Sequence, residues 1–172
     1  MARIAQGDER AFRELSRRHA AGMLALAVRI TGNVAEAEDV AQEAMLRVWT
    51  NAPRWQPLAS LRTWLTRVVV NLCIDRKRRA PWFGLDAAGE IVDPTPDAAA
   101  QTVAEESDRM VADAIDKLPA RQRAAIVLTY HEGMTNAQTA EMLDTTVSAV
   151  ETLLIRAKRN LRQSLGPMIE ED

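Results

Sequence analysis

Three polar side chains are spaced to lie in one line on a helix, shortly before a run of cations. Thr63, Arg67 and Asn71 are four residues apart, a spacing that places them on one helical face. The cations follow as Arg76, Lys77, Arg78 and Arg79. Such a run would neutralise phosphates and give salt-dependent binding, while the Asn71 amide could read a base edge. The pattern fits a nucleic-acid surface and a solvated helix end equally well, and these residues alone leave both interpretations open.

A tryptophan precedes this segment in a loop bounded by prolines. Trp55 stands between Pro53 and Pro57, which disfavour a helix there. An exposed indole in such a loop could stack on an unpaired base, as aromatic side chains do in proteins that bind single strands. The alternative is a tryptophan that anchors the loop on its own protein.

The last third of the chain has the pattern of a helix-turn-helix. Residues 135–143 predict a short helix that opens with a capping box of Thr135 and Gln138. Residues 144–146 predict a turn, and residues 147–165 predict a long helix with one apolar face. That face is formed by Val147, Val150, Leu154, Ala157, Leu161 and Leu165. The opposite face is polar and basic, which suits a DNA major groove, although structural helical hairpins share the pattern.

A helix in the first half of the chain carries an acidic stripe. Glu36, Asp39 and Glu43 share one face, and Glu38 and Gln42 lie beside it. Carboxylates near a helix start are stabilised by the macrodipole, which accounts for Glu36 and Glu38. The macrodipole accounts less well for Asp39 and Glu43, which lie further along the helix. Binding of a partner protein with a basic surface is the more specific explanation for these two residues.

Residues suited to catalysis or metal binding are scattered along the chain. His19, His131 and Cys73 stand apart from one another and have no metal-ligand spacing around them. The sequence has neither a glycine-rich phosphate loop nor a serine or cysteine in a nucleophile motif. We therefore predict a protein that is not an enzyme and that uses no cofactor or metal.

Helical periodicity dominates the segments that carry these residues. The first block predicts amphipathic helices from about Phe12, over residues 37–49 and over residues 60–79. Before the helix-turn-helix, the second block predicts two more helices, separated by Pro119 and marked by Met110, Ala114, Ile115, Ile126, Val127 and Tyr130. We therefore predict an all-α protein of two small helical domains, residues 1–79 and 107–165. A flexible acidic linker, residues 80–106, would join them, and residues 166–172 would form an acidic tail.

The net charge of −2 conceals an uneven distribution. Formal charges sum to +6 over residues 1–79, −6 over 80–106, +1 over 107–165 and −3 over the tail. Asymmetry of this kind is a hint of nucleic-acid partners. Within the linker, Trp82 and Phe83 could dock on a neighbouring surface.

The remaining composition indicates a reducing, cytoplasmic location. The single cysteine excludes an internal disulfide. The longest apolar run near the start, residues 23–28, is far too short to span a bilayer, and no signal-peptide cleavage context accompanies it. We therefore expect no membrane contact by the chain itself.

Two sets of motifs, in order along the chain, resemble the extracytoplasmic function (ECF, group 4) sigma factors of bacterial RNA polymerase. The first block carries GDERAF at 7–12, AEDVAQEA at 37–44, RVW at 47–49 and TWLTRVVVN at 63–71, similar to sigma region 2. The second carries LPARQR at 118–123, EGMTNA at 132–137 and the helix through Arg156 and Ala157, similar to sigma region 4. The resemblance covers about residues 4–165.

The resemblance implies a role for each candidate surface. Polymerase clamp helices would bind the surface with Asp39, Gln42 and Glu43. The −10 element would be opened and read by Trp55, Thr63, Arg67, Asn71, Arg76, Lys77, Arg78 and Arg79. The −35 element would be read by Ser148, Glu151, Thr152, Ile155, Arg156, Lys158 and Arg159.

The family also implies partners. These are core RNA polymerase, through its clamp helices and flap, promoter DNA, and an anti-sigma factor that holds the protein inactive. The linker would run near the RNA exit path, where its acidity could mimic a transcript. When bound to polymerase, the protein would be associated with the nucleoid.

Four features depart from the family pattern. Glu151 and Leu153 stand where basic residues are common, and glutamate can accept a hydrogen bond from cytosine N4, so a changed −35 preference is expected. Alternatively, Glu151 is tolerated at the groove edge. Asp144 replaces the usual turn glycine. The segment before Gly7 is short, which predicts a trimmed first helix, and no C-terminal domain is expected.

Two other functions remain as alternatives. A stand-alone transcription regulator of the response-regulator effector type shares a similar helix-turn-helix, but it would leave the acidic stripe and the basic first block unexplained. An inactive sigma mimic that acts in a partner switch would use the same surfaces for protein contacts alone.

Overall fold

The computed structural model describes residues 1–79 and 103–166, with side chains described over 1–78 and 110–166. Within these ranges the chain is helical and has no β-strand, as the periodicity predicts. Most of the predicted linker, including Trp82 and Phe83, and most of the predicted tail lie outside the described residues.

The first helical unit is built from four helices whose limits are set by polar caps and a glycine. They are α1 (Ala2–Ala5), α2 (Glu9–Thr31), α3 (Val34–Asn51) and α4 (Leu61–Arg79). Asp8 and Asn33 accept hydrogen bonds from backbone N–H groups at the starts of α2 and α3. Gly32 ends α2 in the left-handed conformation, with φ of 73°. These caps let α3 fold back on α2.

The interior of this unit follows the predicted apolar face of α3. On α4 the predicted inner face, formed by Leu61, Trp64, Leu65, Val68 and Leu72, is buried at Leu65 and Leu72 and partly buried elsewhere, and the fully buried residues include Val69 and Val70 beside it. Ile30 of α2, Val40 and Val48 of α3, and Val69 and Val70 of α4 are fully buried. A short 3-10 helix, Ala52–Arg54, and a loop separate α3 from α4. At the end of that loop, the Ser60 hydroxyl accepts the Thr63 N–H at 3.1 Å and so caps α4.

The second helical unit contains the predicted helix-turn-helix. Its elements are α5 (Val103–Asp116), α6 (Ala120–Ile126), a π-helical turn (Val127–His131), α7 (Asn136–Met142) and α8 (Val147–Leu165). α5 begins within the segment predicted as linker. The predicted capping box is confirmed, because the Thr135 N–H donates to Gln138 Oε1 at 2.9 Å and the Gln138 N–H donates to Thr135 Oγ1 at 3.2 Å.

Three apolar side chains that the periodicity placed inward are exposed. Met110 of α5 is 37% exposed. Tyr130 is 59% exposed because it lies in the π-helical turn, whose extra residue per turn rotates it away from the face expected for an α-helix. Val147 is 43% exposed because it is the first residue of α8, beyond the edge of the buried face. Val150, Leu154 and Ala157 form that face as predicted.

The two units share one continuous core. α6 packs against both α2 and α4. The fully buried Ala124 and Ala125 of α6 and Leu128 of the π-helical turn belong to the same core cluster as the buried residues of α2, α3 and α4. The helix-turn-helix is thereby held beside the helix that carries the predicted −10 contacts.

Candidate nucleic-acid interface

The three polar residues on one face of α4, Thr63, Arg67 and Asn71, lie in three different environments. Thr63 is partly buried and lies in the cap, with its hydroxyl 2.7 Å from the Ser60 hydroxyl. Arg67 is exposed and donates to Oδ1 of Asp144 in the helix-turn-helix turn, at 3.2 Å. Asn71 is partly buried in the middle of the helix. The three side chains share a face as predicted, but the cation among them already has a carboxylate partner.

Trp55 is partly buried and is not the fully exposed loop residue that the sequence suggested. Its ring packs edge-on against Trp64 of α4, with centroids 5.3 Å apart and planes at 85°. The loop is thereby anchored on α4, so the anchoring interpretation holds in this conformation. An indole held edge-on also keeps part of its surface available for a base.

Leu58 is the loop residue that sequence reasoning missed. Its side chain is 89% exposed, more than any other large apolar side chain in the described part of the protein. A loop with an exposed leucine beside an aromatic residue has the means to separate stacked bases. The signal in the sequence was weak, because a single leucine between Pro57 and Ala59 has no periodic context.

The basic run at the end of α4 pairs with the acidic stripe of α3. Arg76 donates to Asp39 at 2.9 Å, and Lys77 lies 3.8 Å from Glu36. Arg78 pairs with Asp75 on its own helix, at 3.4 Å. The side chain of Arg79 lies outside the described residues. The acidic stripe therefore also pairs with cations of α4 within the same chain. The sequence pattern did not reveal this role.

The rest of the acidic stripe borders an apolar groove. Gln42 is exposed, and Glu43 accepts from Arg47 at 3.1 Å along the same helix. Beside them, an open groove is lined by Glu9, Phe12, Gln42, Met45, Leu46 and Trp49. Leu46, one turn beyond Gln42 and Glu43, is 55% exposed. A surface with carboxylates around an apolar groove suits a protein partner that presents both cations and apolar side chains.

All of the predicted −35 contacts lie on the outward face of α8. These exposed residues are Ser148, Glu151, Thr152, Ile155, Arg156, Lys158 and Arg159. Ile155 is 68% exposed, and the Lys158 ammonium lies 5.1 Å from the centre of the Tyr130 ring. At the start of the helix, the Thr146 hydroxyl accepts the Ala149 N–H at 3.2 Å. The face is thus presented on a capped, rigid helix.

The turn before α8 accommodates aspartate where a glycine is usual. Asp144 has φ of 49°, a conformation that aspartate adopts more readily than most other non-glycine residues. The Thr145 N–H donates to the Ala140 carbonyl at 3.0 Å, and Arg121 donates to the Leu143 carbonyl at 2.9 Å. The turn is therefore closed and supported without glycine.

In the described part of the chain, the histidines and the cysteine do not form a metal site, although His19 and His131, far apart in the sequence, line one cavity. Cys73 is buried, and burial raises the pKa of its thiol to about 12, so it stays protonated. His131 is exposed, with Nδ1 3.4 Å from Glu132. Across residues 1–79 and 103–166, no cluster of histidine, cysteine or acidic residues could hold a metal. No helix in those ranges is long and apolar enough to cross a membrane.

Comparison with known proteins assigns a family to each unit. Residues 15–83 match the family Sigma-70 region 2, and residues 108–161 match the family Sigma-70, region 4.

Whole-chain similarity agrees with these matches. The ECF RNA polymerase sigma factor SigM of Mycobacterium tuberculosis is 38% identical over 161 residues, covering 93% of this chain and 80% of SigM. The ECF RNA polymerase sigma factor SigW of Bacillus subtilis is 32% identical, covering 94% of this chain and 92% of SigW. Among solved structures, CnrH in complex with the cytosolic domain of CnrY is similar with a TM-score of 0.63. That pair is 29% identical, and the match covers 95% of this chain and 93% of CnrH.

Proposed function

Because this chain belongs to the extracytoplasmic function (ECF) family of RNA polymerase sigma factors, we propose that its two helical units read the two elements of one promoter. A sigma factor directs bacterial RNA polymerase to promoters and initiates transcription, and it is an initiation factor, not itself a catalyst. The observation that carries the proposal is the outward face of α8, where all seven candidate −35 contacts are exposed behind a closed turn.

The −35 element is read by α8 in the major groove. Arg156, Lys158 and Arg159 supply phosphate contacts, while Glu151 and Thr152 are placed for base edges. Ser148 lies at the start of the helix, where recognition helices commonly meet the bases, and Ile155 adds an apolar contact. The packing of Val150, Leu154 and Ala157 against the unit keeps this orientation fixed.

The −10 element is opened and read by the first unit. Trp55 and Asn71 capture an unpaired base, while Thr63 and Arg67 contact the adjacent strand. The cations Arg76, Lys77, Arg78 and Arg79 hold the DNA backbone as it opens. Leu58 extends this set, because its exposed side chain is suited to wedge between bases.

Core polymerase docks on the first unit through Asp39, Gln42 and Glu43 and through the adjacent groove with Leu46. Carboxylates of α3 meet cations of the polymerase clamp helices, and the apolar groove supplies the contact area that surface ion pairs alone lack. The second unit contacts the polymerase flap. The protein acts in the cytoplasm, on the regulon of one stress or signal.

An anti-sigma factor controls this activity. CnrH, similar over nearly the whole chain, was solved in complex with the cytosolic domain of CnrY. A partner of that type would cover the exposed Leu46 and its acidic surroundings, and would thereby compete with polymerase.

Run-off transcription with reconstituted holoenzyme tests the proposed function. A cognate promoter is first selected from a random library by the holoenzyme. Trp55→Ala should reduce initiation about tenfold, because stacking of one base is worth ~1–3 kcal/mol. Asn71→Ala should reduce it by a similar factor, because a good contact to a base edge is worth ~1–3 kcal/mol. Arg13→Ala, which removes an exposed cation of α2 away from these surfaces, is the matched control and should leave initiation unchanged. Unchanged initiation in the first two variants would refute the base-capture assignment.

A polymerase pull-down separates the sigma factor from a stand-alone regulator. The folded protein should bind core polymerase, and Leu46→Ala together with Glu43→Gln should weaken that binding. A folded protein that activates a promoter without binding core polymerase would support the regulator instead. The family assignment already disfavours that alternative.

A further inference from the structure

A cavity of about 690 Å³ between α2 and α4 belongs to none of the surfaces assigned to polymerase or to promoter DNA. Ten of its twelve lining residues come from these two helices, and His131 and Glu132 of the second unit complete it. Its volume lies within the range of about 300–1,000 Å³ that is usual for the sites of small ligands. The cavity is therefore large enough for one small molecule.

Gly22 lines this cavity from the middle of α2, where a glycine is unexpected. Glycine in a helix interior destabilises the folded state relative to alanine, because it loses more backbone entropy on folding. Apart from its own helix and chain neighbours, a Cβ on Gly22 would meet no atom of the described residues within 4 Å. Neither packing nor a left-handed turn therefore requires the glycine. Its missing side chain leaves the backbone of α2 open to a molecule in the cavity.

The buried part of the lining is apolar. Met23 and Leu26 of α2 and Leu65 of α4 line the cavity and are buried in the protein interior. An apolar or aromatic group of a ligand gains free energy when it leaves water for such a surface. This part of the lining therefore favours a ligand that is not purely ionic.

The more exposed part of the lining carries more positive than negative charge. It contains the guanidinium groups of Arg18, Arg29 and Arg62, against the carboxylate of Glu132. Arg18 pairs with Glu14 at 2.6 Å, and Arg29 lies 3.9 Å from Glu132. Arg62 is exposed and has no carboxylate partner among the side chains that the structure describes. Because guanidinium groups bind phosphates through charge-assisted hydrogen bonds, the lining suits a phosphate-bearing ligand.

The remaining polar groups suit the neutral part of such a ligand. His19, His131 and Thr66 supply groups that both donate and accept hydrogen bonds, whereas an ionised Glu132 only accepts them. A carboxylate repels an inorganic polyanion, but it accepts hydrogen bonds from the hydroxyl and amino groups of a nucleoside. The combination of cations, an acceptor and an apolar surface therefore matches a nucleotide better than inorganic phosphate.

We propose that this cavity binds a nucleoside phosphate, with its base on the apolar side chains and its phosphates on the arginines. Gly22 allows the ligand to approach the backbone of α2, and Arg62 makes the main phosphate contact. The site lies mainly in the first unit, because α2 and α4 supply most of its lining. It goes beyond the proposed promoter-reading function and does not depend on it.

Equilibrium dialysis of the full chain against radiolabelled ATP and, separately, GTP measures binding without altering the ligand. At least one of the two should bind saturably to the wild type. Arg62→Gln should weaken this binding about tenfold, the effect of losing one charge-assisted hydrogen bond. Arg13→Gln, which removes an exposed cation of α2 outside the cavity, is the matched control and should leave binding unchanged.

Substitutions at two neighbouring positions of α2 test the role of the glycine. Gly22→Leu puts a side chain into the cavity and should weaken nucleotide binding at least about tenfold, because the ligand and the new side chain compete for space. Ala21→Leu adds the same side chain at an exposed position outside the cavity and should leave binding unchanged.

Gly22→Ala separates a ligand role from a purely structural one. Alanine is the better helix former, so this variant should have a higher melting temperature than the wild type. It should nevertheless bind the nucleotide more weakly, because its methyl group projects into the cavity. A gain in stability without a loss of binding would refute the role of Gly22 in the site.

Competition experiments identify which parts of the ligand are recognised. Adenosine and tripolyphosphate should each displace ATP at least about tenfold less well than unlabelled ATP, because each makes only part of the contacts. Equal displacement by tripolyphosphate would overturn the nucleotide assignment. The whole proposal is overturned if neither ATP nor GTP binds saturably, or if Arg62→Gln and Gly22→Leu both bind like the wild type.

Trp55→Ala distinguishes the cavity from the candidate −10 surface, since an indole there could also stack on a nucleotide base. This variant should bind the nucleotide as the wild type does. Loss of binding in Trp55→Ala, with binding retained in Gly22→Leu, would place the nucleotide on the −10 surface and refute the cavity site.

Discussion

Glu151 projects from the exposed face of α8, where a DNA-reading helix would more often present a cation. Replacing it with lysine changes both the charge and the hydrogen-bonding pattern offered to a base edge, because glutamate accepts from cytosine N4 and lysine donates to guanine. We expect Glu151→Lys to change the preferred −35 base at one position by about tenfold, since one good base contact is worth ~1–3 kcal/mol.

A library of −35 sequences, transcribed by the reconstituted holoenzyme, measures this preference. Asp113→Lys makes the same charge change at an exposed position of α5, a residue that is not among the candidate −35 contacts, and controls for overall electrostatic attraction. If the two variants show the same −35 preference as the wild type, Glu151 lies at the groove edge and reads no base.

For single residues, the sequence correctly predicted relations within one helix but not contacts between separate segments. The i, i+4 spacing correctly placed Thr63, Arg67 and Asn71 on one face of α4, because that relation is local. It could not show that Trp55 packs on Trp64, since the loop conformation between them follows no period. The pairing of Arg67 with Asp144 spans 77 positions and leaves no local signal in either segment.

At the scale of elements, α7 depends on its N-terminal cap because it is a short helix. Thr135 and Gln138 satisfy two backbone donors reciprocally, and Thr135→Ala removes half of that arrangement. We expect Thr135→Ala to lower the free energy of unfolding by about 1 kcal/mol. Chemical denaturation monitored by circular dichroism measures the loss, and exposed Ser164→Ala near the end of α8 is the control. Equal stability of the two variants would contradict the role of the cap.

Helix periodicity predicted most of the buried positions of the second unit, but it did not predict that Tyr130 faces outward. The apolar positions of α8 agree with the pattern at Val150, Leu154 and Ala157 because that helix is regular. The π-helical turn between α6 and α7 inserts an extra residue, and no α-helical period anticipates it. Tyr130 consequently turns outward, beside Lys158 on α8.

The ion pair between Asp39 of α3 and Arg76 of α4 leads to a prediction about DNA binding by the basic run at residues 76–79. Asp39 neutralises Arg76 at 2.9 Å, so Asp39→Asn should release one cation for a phosphate. We expect the slope of log K against log salt for single-stranded DNA to steepen by about 0.7. Glu38→Gln removes a neighbouring exposed carboxylate of α3 and should change the slope less.

A second substitution tests the mechanism of that prediction. With Arg76→Gln present, Asp39→Asn should no longer steepen the slope, because the released cation is missing. Equal slopes for Asp39→Asn and Glu38→Gln would mean that the contact between Asp39 and Arg76 does not limit DNA binding. Since Asp39 is also a proposed polymerase contact, docking of polymerase on α3 would have the same releasing effect.

At the scale of the whole molecule, net charge and internal ion pairs both oppose DNA binding by the free chain. The formal charge of +6 over residues 1–79 is offset by the acidic segments that follow, so the total is −2. Several cations of the first unit are also paired internally, among them Arg67, Arg76 and Lys77. We therefore expect the free protein to bind promoter duplex no more tightly than non-specific complexes do, with Kd of about 1–100 μM at physiological salt.

Titration of labelled promoter and scrambled duplexes, with and without core polymerase, measures this dependence. Alone, the protein should bind both duplexes similarly and lose affinity steeply with salt, because phosphate contacts carry the binding. With polymerase, discrimination between the duplexes should rise by at least about a thousandfold, the lower range for specific recognition. Tight, promoter-specific binding by the free chain would contradict the proposed dependence on polymerase, because the exposed face of α8 would then read the −35 element without it.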